Sequence, residues 1–84
     1  MIGDMVVLSE RLKTERRKAG LTQEELAKRA GVGVATIARL EGQEIDEPRV
    51  STLRKLADAL EIRVKDLFVA VPILEAADVL SNLG

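Results

Sequence analysis

Two short helical segments in the middle of this chain are joined by a turn of only three residues, Gly31 to Gly33. The first opens with Thr-Gln-Glu-Glu at residues 22–25, a capping box in which the threonine hydroxyl accepts from a backbone N–H and the second glutamate reaches back. The second, residues 34–41, spaces Ile37 and Leu40 three apart, so both are predicted to face a core. Two helices joined this tightly by a turn that contains glycine form a helix-turn-helix unit.

The segment before this unit is predicted to be a helix preceded by a tail. Ser9 can cap a helix that runs from Glu10 to about Ala19, and Gly20 supplies the left-handed conformation that ends it. Residues 1–8 are mostly apolar but lack helical periodicity. They are therefore predicted to form an N-terminal tail or a short extended arm.

Two more helices are predicted after the unit. Pro48 disfavours helix before it and permits helix after it. The apolar residues that follow at helical spacing are Val50, Leu53, Leu56, Ala57 and Leu60, and a short fifth helix is indicated by Val64, Leu67 and Phe68. The chain is therefore predicted to be all-α, with a five-helix domain over residues 9–68.

Residues 69–84 form a separate C-terminal segment with two interpretations. The stretch from Phe68 to Val71 is strand-like in composition, whereas the apolar residues after Pro72 fall on one helical face. We favour an added C-terminal helix with Pro72 in its first turn over an extended tail. The apolar stripe of this helix consists of Ile73, Ala76, Ala77, Leu80 and Leu83. It would either pack across a homodimer axis or dock a partner protein such as a toxin.

The residue types that the chain lacks exclude several classes of function. It has no cysteine and no histidine, so disulfides, zinc fingers and thiol or imidazole catalysis are excluded. Phe68 is its single aromatic residue, which disfavours a stacking platform for single-stranded nucleic acid. The turn from Gly31 to Gly33 lacks the third glycine and the preceding strand of a dinucleotide loop. We therefore expect no enzyme activity, no metal and no cofactor.

Neither a membrane span nor a secretory signal is visible in the sequence. The longest uncharged stretch is Leu67 to Leu74, far shorter than the roughly 20 residues that cross a bilayer. The N-terminus has no basic run followed by an apolar segment and a small-residue cleavage site. We therefore expect a cytoplasmic protein.

Charge is unevenly distributed along the chain, although the net charge is only −1. Residues 9–29 carry seven Lys and Arg against four Glu, and residues 49–67 carry five basic residues against three acidic ones. Between them, residues 30–48 carry one Arg against four acidic residues. Folding can bring the two basic segments to one face, which is typical of a surface that contacts a polyanion.

The ordered set of motifs resembles the Cro/C1-type (XRE-like) helix-turn-helix family of phage and bacterial repressors. The resemblance covers residues 8–68 and rests chiefly on residues 21–27 (LTQEELA), 31–32 (GV), 36–37 (TI), 39–41 (RLE) and 48–57 (PRVSTLRKLA). It implies a lambda-repressor-like five-helix domain that binds double-stranded DNA as a two-fold dimer. The implied function is sequence-specific transcription regulation, with the third helix in the major groove.

The resemblance also implies which residues contact DNA. Those that would face bases are Val34, Ala35, Thr36, Ala38 and Arg39, among which only Arg39 carries a long donor. Phosphate or helix-start contacts would come from Thr22, Gln23, Arg49, Thr52 and Lys55. Arg16 and Glu41 match positions that form an ion pair, which would hold the third helix in place.

Some residues depart from the family pattern and keep a second function open. The loop at residues 43–47 is acidic where many members carry Lys or Arg, and carboxylates there would repel phosphate. Gly33 stands where Ser or Thr often caps the third helix. The alternative is a protein-interaction module, for example an antitoxin-like partner of another protein, that uses the same fold and docks through its C-terminal segment.

Overall fold

Four α-helices and one 3-10 helix account for the regular structure of residues 2–45 and 47–69, the part that this computed structural model describes. The α-helices are Ile2–Lys18 (α1), Gln23–Ala30 (α2), Val34–Glu41 (α3) and Val50–Leu60 (α4), and the 3-10 helix is Val64–Phe68. The predicted all-α class is confirmed. The fifth helix is a 3-10 turn rather than an α-helix, and the predicted C-terminal helix after Pro72 lies outside the described residues.

Local capping explains where the central helices begin and end. The Thr22 hydroxyl accepts from the backbone N–H of Glu25 at 3.1 Å, and the Glu25 carboxylate accepts from the backbone N–H of Thr22 at 2.9 Å. The predicted capping box is therefore present. Gly31 ends α2 in the left-handed region (φ 71°), where a side chain would be strained. Helix α3 then starts at Gly33 without any side-chain cap.

Helix α1 begins much earlier than the sequence indicated. A tail over residues 1–8 and a cap at Ser9 were expected, but the helix starts at Ile2, and Leu8 and Ser9 are fully buried within it. The Ser9 hydroxyl donates at 2.7 Å to the backbone carbonyl of Glu41, at the end of α3. The expected cap at Ser9 was wrong, because the Ser9 hydroxyl lies inside the helix and donates to a carbonyl 32 residues away. A contact with so distant a residue leaves no local signal in the sequence.

A core made by all five helices positions α3. Helix α1 packs against α3 and the 3-10 helix, and α2 packs against α3 and α4. Complete burial of an aliphatic side chain stabilises the fold by roughly 1.5–3 kcal/mol. The fully buried leucine and isoleucine side chains are Leu8, Leu12, Leu26, Ile37, Leu40, Leu56 and Leu67. Because Ile37 and Leu40 are among them, one face of α3 is fixed inward and the opposite face is left outside.

Within the described residues, no helix is both long enough and apolar enough to cross a membrane.

Candidate nucleic-acid interface

The outward face of α3 brings together four of the five residues predicted to face bases. Val34, Ala35 and Arg39 are exposed, and Ala38 is partly exposed beside them. Val34 and Ala38 are four residues apart, as are Ala35 and Arg39, so the four positions form two neighbouring rows on one side of the helix. Arg39 is the one cation on this face, and the remaining side chains end in methyl groups.

Thr36, the fifth predicted base-facing residue, turns toward α4 instead. It is half-buried and borders a notch of about 300 Å³ between α3 and the start of α4. Arg49 and Thr52 line the same notch, together with Glu47 from the acidic loop. Two predicted phosphate contacts therefore lie beside Thr36, and a carboxylate lies next to them.

Arg49 combines an exposed positive charge with the positive end of a helix. It is the exposed N-cap residue of α4, and its side chain makes no capping hydrogen bond. The first backbone N–H groups of α4 thus have no side-chain acceptor from the cap residue, and the helix dipole adds positive potential at the same place. An anion in this notch would meet both features.

Lys55 does not belong to this notch. It borders a different hollow, lined on the other side by Arg29 and Ala30 of α2. Asp58 and Glu61 share that hollow, so the surroundings of Lys55 are mixed in charge. The fold therefore separates Lys55 from Arg49 and Thr52.

A buried carboxylate ties α3 to α1. Arg16 donates from Nε to Oε2 of Glu41 at 2.7 Å and from Nη2 to Oε1 at 3.0 Å, a two-pronged ion pair. The Arg16 side chain is only 11% exposed to solvent, and the Glu41 side chain only 3%. The hydrogen bond to Glu41 raises the pKa of Arg16 above its ordinary value. Arg16 also donates from Nη1 to the backbone carbonyl of Leu21 at 2.8 Å, so it anchors the chain just before α2.

The same carboxylate orients Gln23, the first residue of α2. Gln23 donates from Nε2 to Oε1 of Glu41 at 3.1 Å, and its side chain is partly buried. Thr22, its neighbour, is engaged in the capping box. Thr22 therefore acts as a helix cap, whereas Gln23 is held at a defined orientation at the edge of the α3 surface.

Ser9 and the link from Gln23 to Glu41 are features of this region that the sequence did not reveal. Ser9 bonds the backbone of Glu41 from α1, and Gln23 bonds its side chain from α2. Both contacts join residues at least 18 positions apart. Neither has a local motif, so only the packing of the helices brings the partners together.

Two carboxylates of the acidic loop stand beside this surface. Glu44 and Glu47 are exposed, and the backbone N–H of Glu44 donates to the carbonyl of Arg39 at 2.8 Å. The loop is thereby attached to the end of the α3 face. Among the described residues, no group of three acidic side chains has the geometry to hold a metal ion.

Known proteins resemble this chain in sequence. The family model described as Helix-turn-helix matches residues 12–67. An uncharacterized HTH-type transcriptional regulator from Archaeoglobus fulgidus is 41% identical over 59 residues, which are 70% of this chain and 83% of that protein. The HTH-type transcriptional repressor RghR from Bacillus subtilis is 34% identical over 71 residues, and this chain spans only 53% of its length.

A solved structure resembles the fold over most of its length. It is the restriction-modification controller protein C.AhdI from Aeromonas hydrophila, with a TM-score of 0.72 and 32% sequence identity. The similarity covers 77% of this chain and 97% of that one.

Proposed function

This chain belongs to the Cro/C1-type helix-turn-helix family, and we propose that it is a sequence-specific regulator of transcription that binds double-stranded DNA. The observation that carries the proposal is the outward face of α3, which presents Arg39 and small side chains on a rigidly held helix. Helix α3 enters the major groove, whose width admits one α-helix. The proposal includes no catalytic role, since the relatives are named as transcriptional regulators.

Base recognition comes chiefly from Arg39. A guanidinium donates two parallel hydrogen bonds to O6 and N7 of guanine, which is the commonest specific contact and contributes about 1–3 kcal/mol of discrimination. Arg39 is exposed and has no ion-pair partner among the described residues, so its side chain is available for this contact.

Phosphate contacts hold α3 in register on the duplex. Arg49 and the N-terminus of α4 bind one phosphate in the notch, with Thr36 and Thr52 as hydroxyl donors. Gln23, oriented by Glu41, contacts a second phosphate or an adjacent base edge. These contacts carry little sequence information, but they fix how deeply α3 enters the groove.

A homodimer on an inverted repeat is the form in which this domain acts. One eight-residue helix reaches only a few base pairs, and a two-fold dimer doubles the contacts on half-sites about one helical turn, or ~34 Å, apart. We assign the pairing of the two copies to the C-terminal segment at residues 69–84, on the strength of its apolar stripe. We place this regulator in the cytoplasm, because the relatives named above come from Archaeoglobus fulgidus and Bacillus subtilis, whose chromosomes lie there.

A binding selection from a random pool of duplex DNA tests the proposal. The full chain is mixed with the pool at about physiological salt, and the retained duplexes are sequenced after several rounds. We expect an inverted repeat with half-sites about one turn apart and guanine at one position of each half-site. Weak, salt-sensitive retention without an enriched motif would contradict the proposal.

The acidic loop is the observation that favours a second candidate, a protein-interaction module. Glu44 and Glu47 lie beside the α3 face, and the whole chain has a net charge of −1. In this alternative the chain pairs with another protein, as an antitoxin does, through its C-terminal segment. A selection without a motif would make that candidate the better one.

A further inference from the structure

We propose that this protein reads methyl groups in the major groove, with Val34 and Ala35 packing on the C5-methyl group of thymine or of 5-methylcytosine in each half-site. The inference rests on the proposed function, because it requires α3 to lie in the groove. It adds a chemical class of ligand to that site: a methylated pyrimidine next to the guanine that Arg39 contacts.

The exposure of Val34 is the first observation behind this inference. Val34 keeps 43% of its surface exposed, whereas Ile37 and Leu40 of the same helix keep none. Of the four exposed large hydrophobic residues among those described, Phe68 and Val69 end the described chain, and Val50 begins α4. Val34 is the one on the outward face of α3, so an apolar group at the protein–DNA contact is its natural partner.

The second observation is that the first turn of α3 has no polar side chain for a base edge. Gly33 caps the helix with backbone only, and the next two residues are valine and alanine. Thr36, the first hydroxyl of the helix, borders the notch beside Arg49. Within the major groove the apolar feature of an unmodified base pair is the thymine methyl group. Methylation of cytosine at C5 puts a methyl group at the same ring position, so the same surface fits both.

The third observation is that small side chains surround Val34 on this face. Ala35 and Ala38 end at Cβ, so the helix approaches the base edges closely at this end. Arg39 lies one turn beyond Ala35, because residues four apart are neighbours on a helix surface. The half-site should therefore contain a thymine or 5-methylcytosine within a few base pairs of the guanine.

The experiment uses the full chain and the inverted repeat recovered by the selection. Each thymine of the half-site is replaced in turn by deoxyuridine, which removes only the methyl group, and dissociation constants are measured by fluorescence anisotropy at constant salt. Burying one methyl group favours binding by roughly fourfold. We expect one or two positions to lose about that factor in each half-site. At those positions 5-methylcytosine should bind more tightly than cytosine by a similar factor.

Val34→Ser is the matched variant for this experiment, because it removes both γ-methyl groups of Val34 and leaves only a small hydroxyl group. It should bind the thymine and deoxyuridine duplexes with nearly equal affinity while keeping its preference for guanine. Val50→Ser, at an exposed valine outside α3, is the control and should keep the full difference.

Two results overturn the inference and are distinguishable from each other. Sequence-specific binding in which no thymine position responds to deoxyuridine would refute the methyl contact and leave the proposed function standing. Absence of any sequence-specific binding would refute both together.

Discussion

Glu41 is the residue on which the position of α3 depends most directly. Its carboxylate accepts from Arg16 of α1 and from Gln23 of α2, and its backbone carbonyl accepts from Ser9. Three donor side chains from two other helices thus meet at the last residue of α3. A helix held in this way presents its outward face in one orientation, which is what recognition of base edges requires.

Neutralising Glu41 should destabilise the fold strongly. In Glu41→Gln the Arg16 guanidinium, only 11% exposed, loses its counter-charge, and an uncompensated buried charge costs about 3–5 kcal/mol. Chemical denaturation measures the free energy of unfolding. Glu47→Gln removes an exposed carboxylate and is the control, with an expected change within about 0.5 kcal/mol. Equal effects of the two substitutions would show that the buried pair does not stabilise the fold.

Arg39 and Arg49 should affect DNA binding in different ways. Arg39→Ala should relax base preference at one or two positions of each half-site, since it removes the direct contact to a base. Arg49→Ala should weaken binding to all sequences alike and lower the dependence of log affinity on log salt by about one per copy. The change in base preference and the change in salt dependence are both obtained from dissociation constants, measured for specific and scrambled duplexes at several salt concentrations.

Arg54→Ala is the matched control for these two substitutions, because Arg54 is an exposed cation of α4 that does not line the notch. It should change neither base preference nor the salt dependence of binding appreciably. If Arg39→Ala leaves base preference intact, the assignment of base reading to this residue is wrong.

At the scale of single elements, the capping box of α2 makes the free energy of unfolding depend on pH. The hydrogen bond from the backbone N–H of Thr22, with a further one between the side chains, lowers the pKa of Glu25 below its ordinary value of 4.5. A carboxylate whose pKa is lower in the folded state contributes stability above its unfolded pKa. That contribution is lost as the pH falls through the folded-state pKa.

The acid side of the stability profile should therefore change in Glu25→Gln. Stability of the parent chain should be flat near neutral pH, since it has no histidine, and should fall below about pH 4.5. Glu25→Gln should lose less stability over that acid range, as measured by thermal unfolding at a series of pH values. Glu24→Gln removes the same charge one residue away without touching the capping box. Identical acid profiles for the two variants would contradict a contribution from the capping box.

The end of α4 carries a residue in an unfavourable conformation. Glu61 is the C-cap of α4 with φ 58° and ψ 39°, in the left-handed region where a residue other than glycine is disfavoured by roughly 1–2 kcal/mol. Its backbone N–H bonds the carbonyls of Ala57 and Asp58, so the conformation is needed to close the helix. The fold retains this conformation because the chain must turn here toward the 3-10 helix.

Relieving this strain should stabilise the protein. Glu61→Gly is expected to raise the free energy of unfolding by about 1 kcal/mol, or roughly 4–8 °C in the midpoint of thermal unfolding. Glu61→Ala removes the same carboxylate but keeps a Cβ, so it should not stabilise. A gain of equal size in both variants would show that charge rather than backbone conformation is responsible.

At the scale of the whole molecule, the distribution of charge matters more than its total. The net charge is −1, yet Arg39 and Arg49 lie within the region proposed to contact DNA, with Glu44 and Glu47 close by. A surface of this kind attracts a polyanion only locally, so nonspecific affinity should be modest and specificity should depend on close contacts.

Dimerisation through the C-terminal segment would be a property of the whole molecule. Removing the residues after Val71 should leave the described core intact, because the fully buried residues of the part that the structure describes end at Leu67. Sedimentation should then show a monomer at concentrations where the full chain is a dimer, with weaker binding to the inverted repeat. Leu80→Glu on the predicted stripe should act in the same way, and Asn82→Glu on the opposite face should not. A truncated chain that remains a dimer of unchanged affinity would refute this role for the C-terminal segment.

Local rules were sufficient to predict α2, α3 and α4 from the sequence. Caps, glycines and apolar spacing act within one or two turns, so the bounds of α3 at Val34 and Glu41 and the inward face with Ile37 and Leu40 follow from neighbouring residues. The helix-turn-helix unit is visible in the sequence for the same reason.

Contacts between distant residues were decided by the tertiary structure alone. The start of α1 depends on the burial of Leu8 and Ser9, and the orientation of Gln23 depends on Glu41, 18 positions away. Thr36 turns toward the start of α4 because the packing of α3 leaves it beside the notch, and the fifth helix is a 3-10 turn. These outcomes depend on which helices meet and at what angle. Periodicity does not determine that geometry, because it specifies a buried face but not the residue that it contacts.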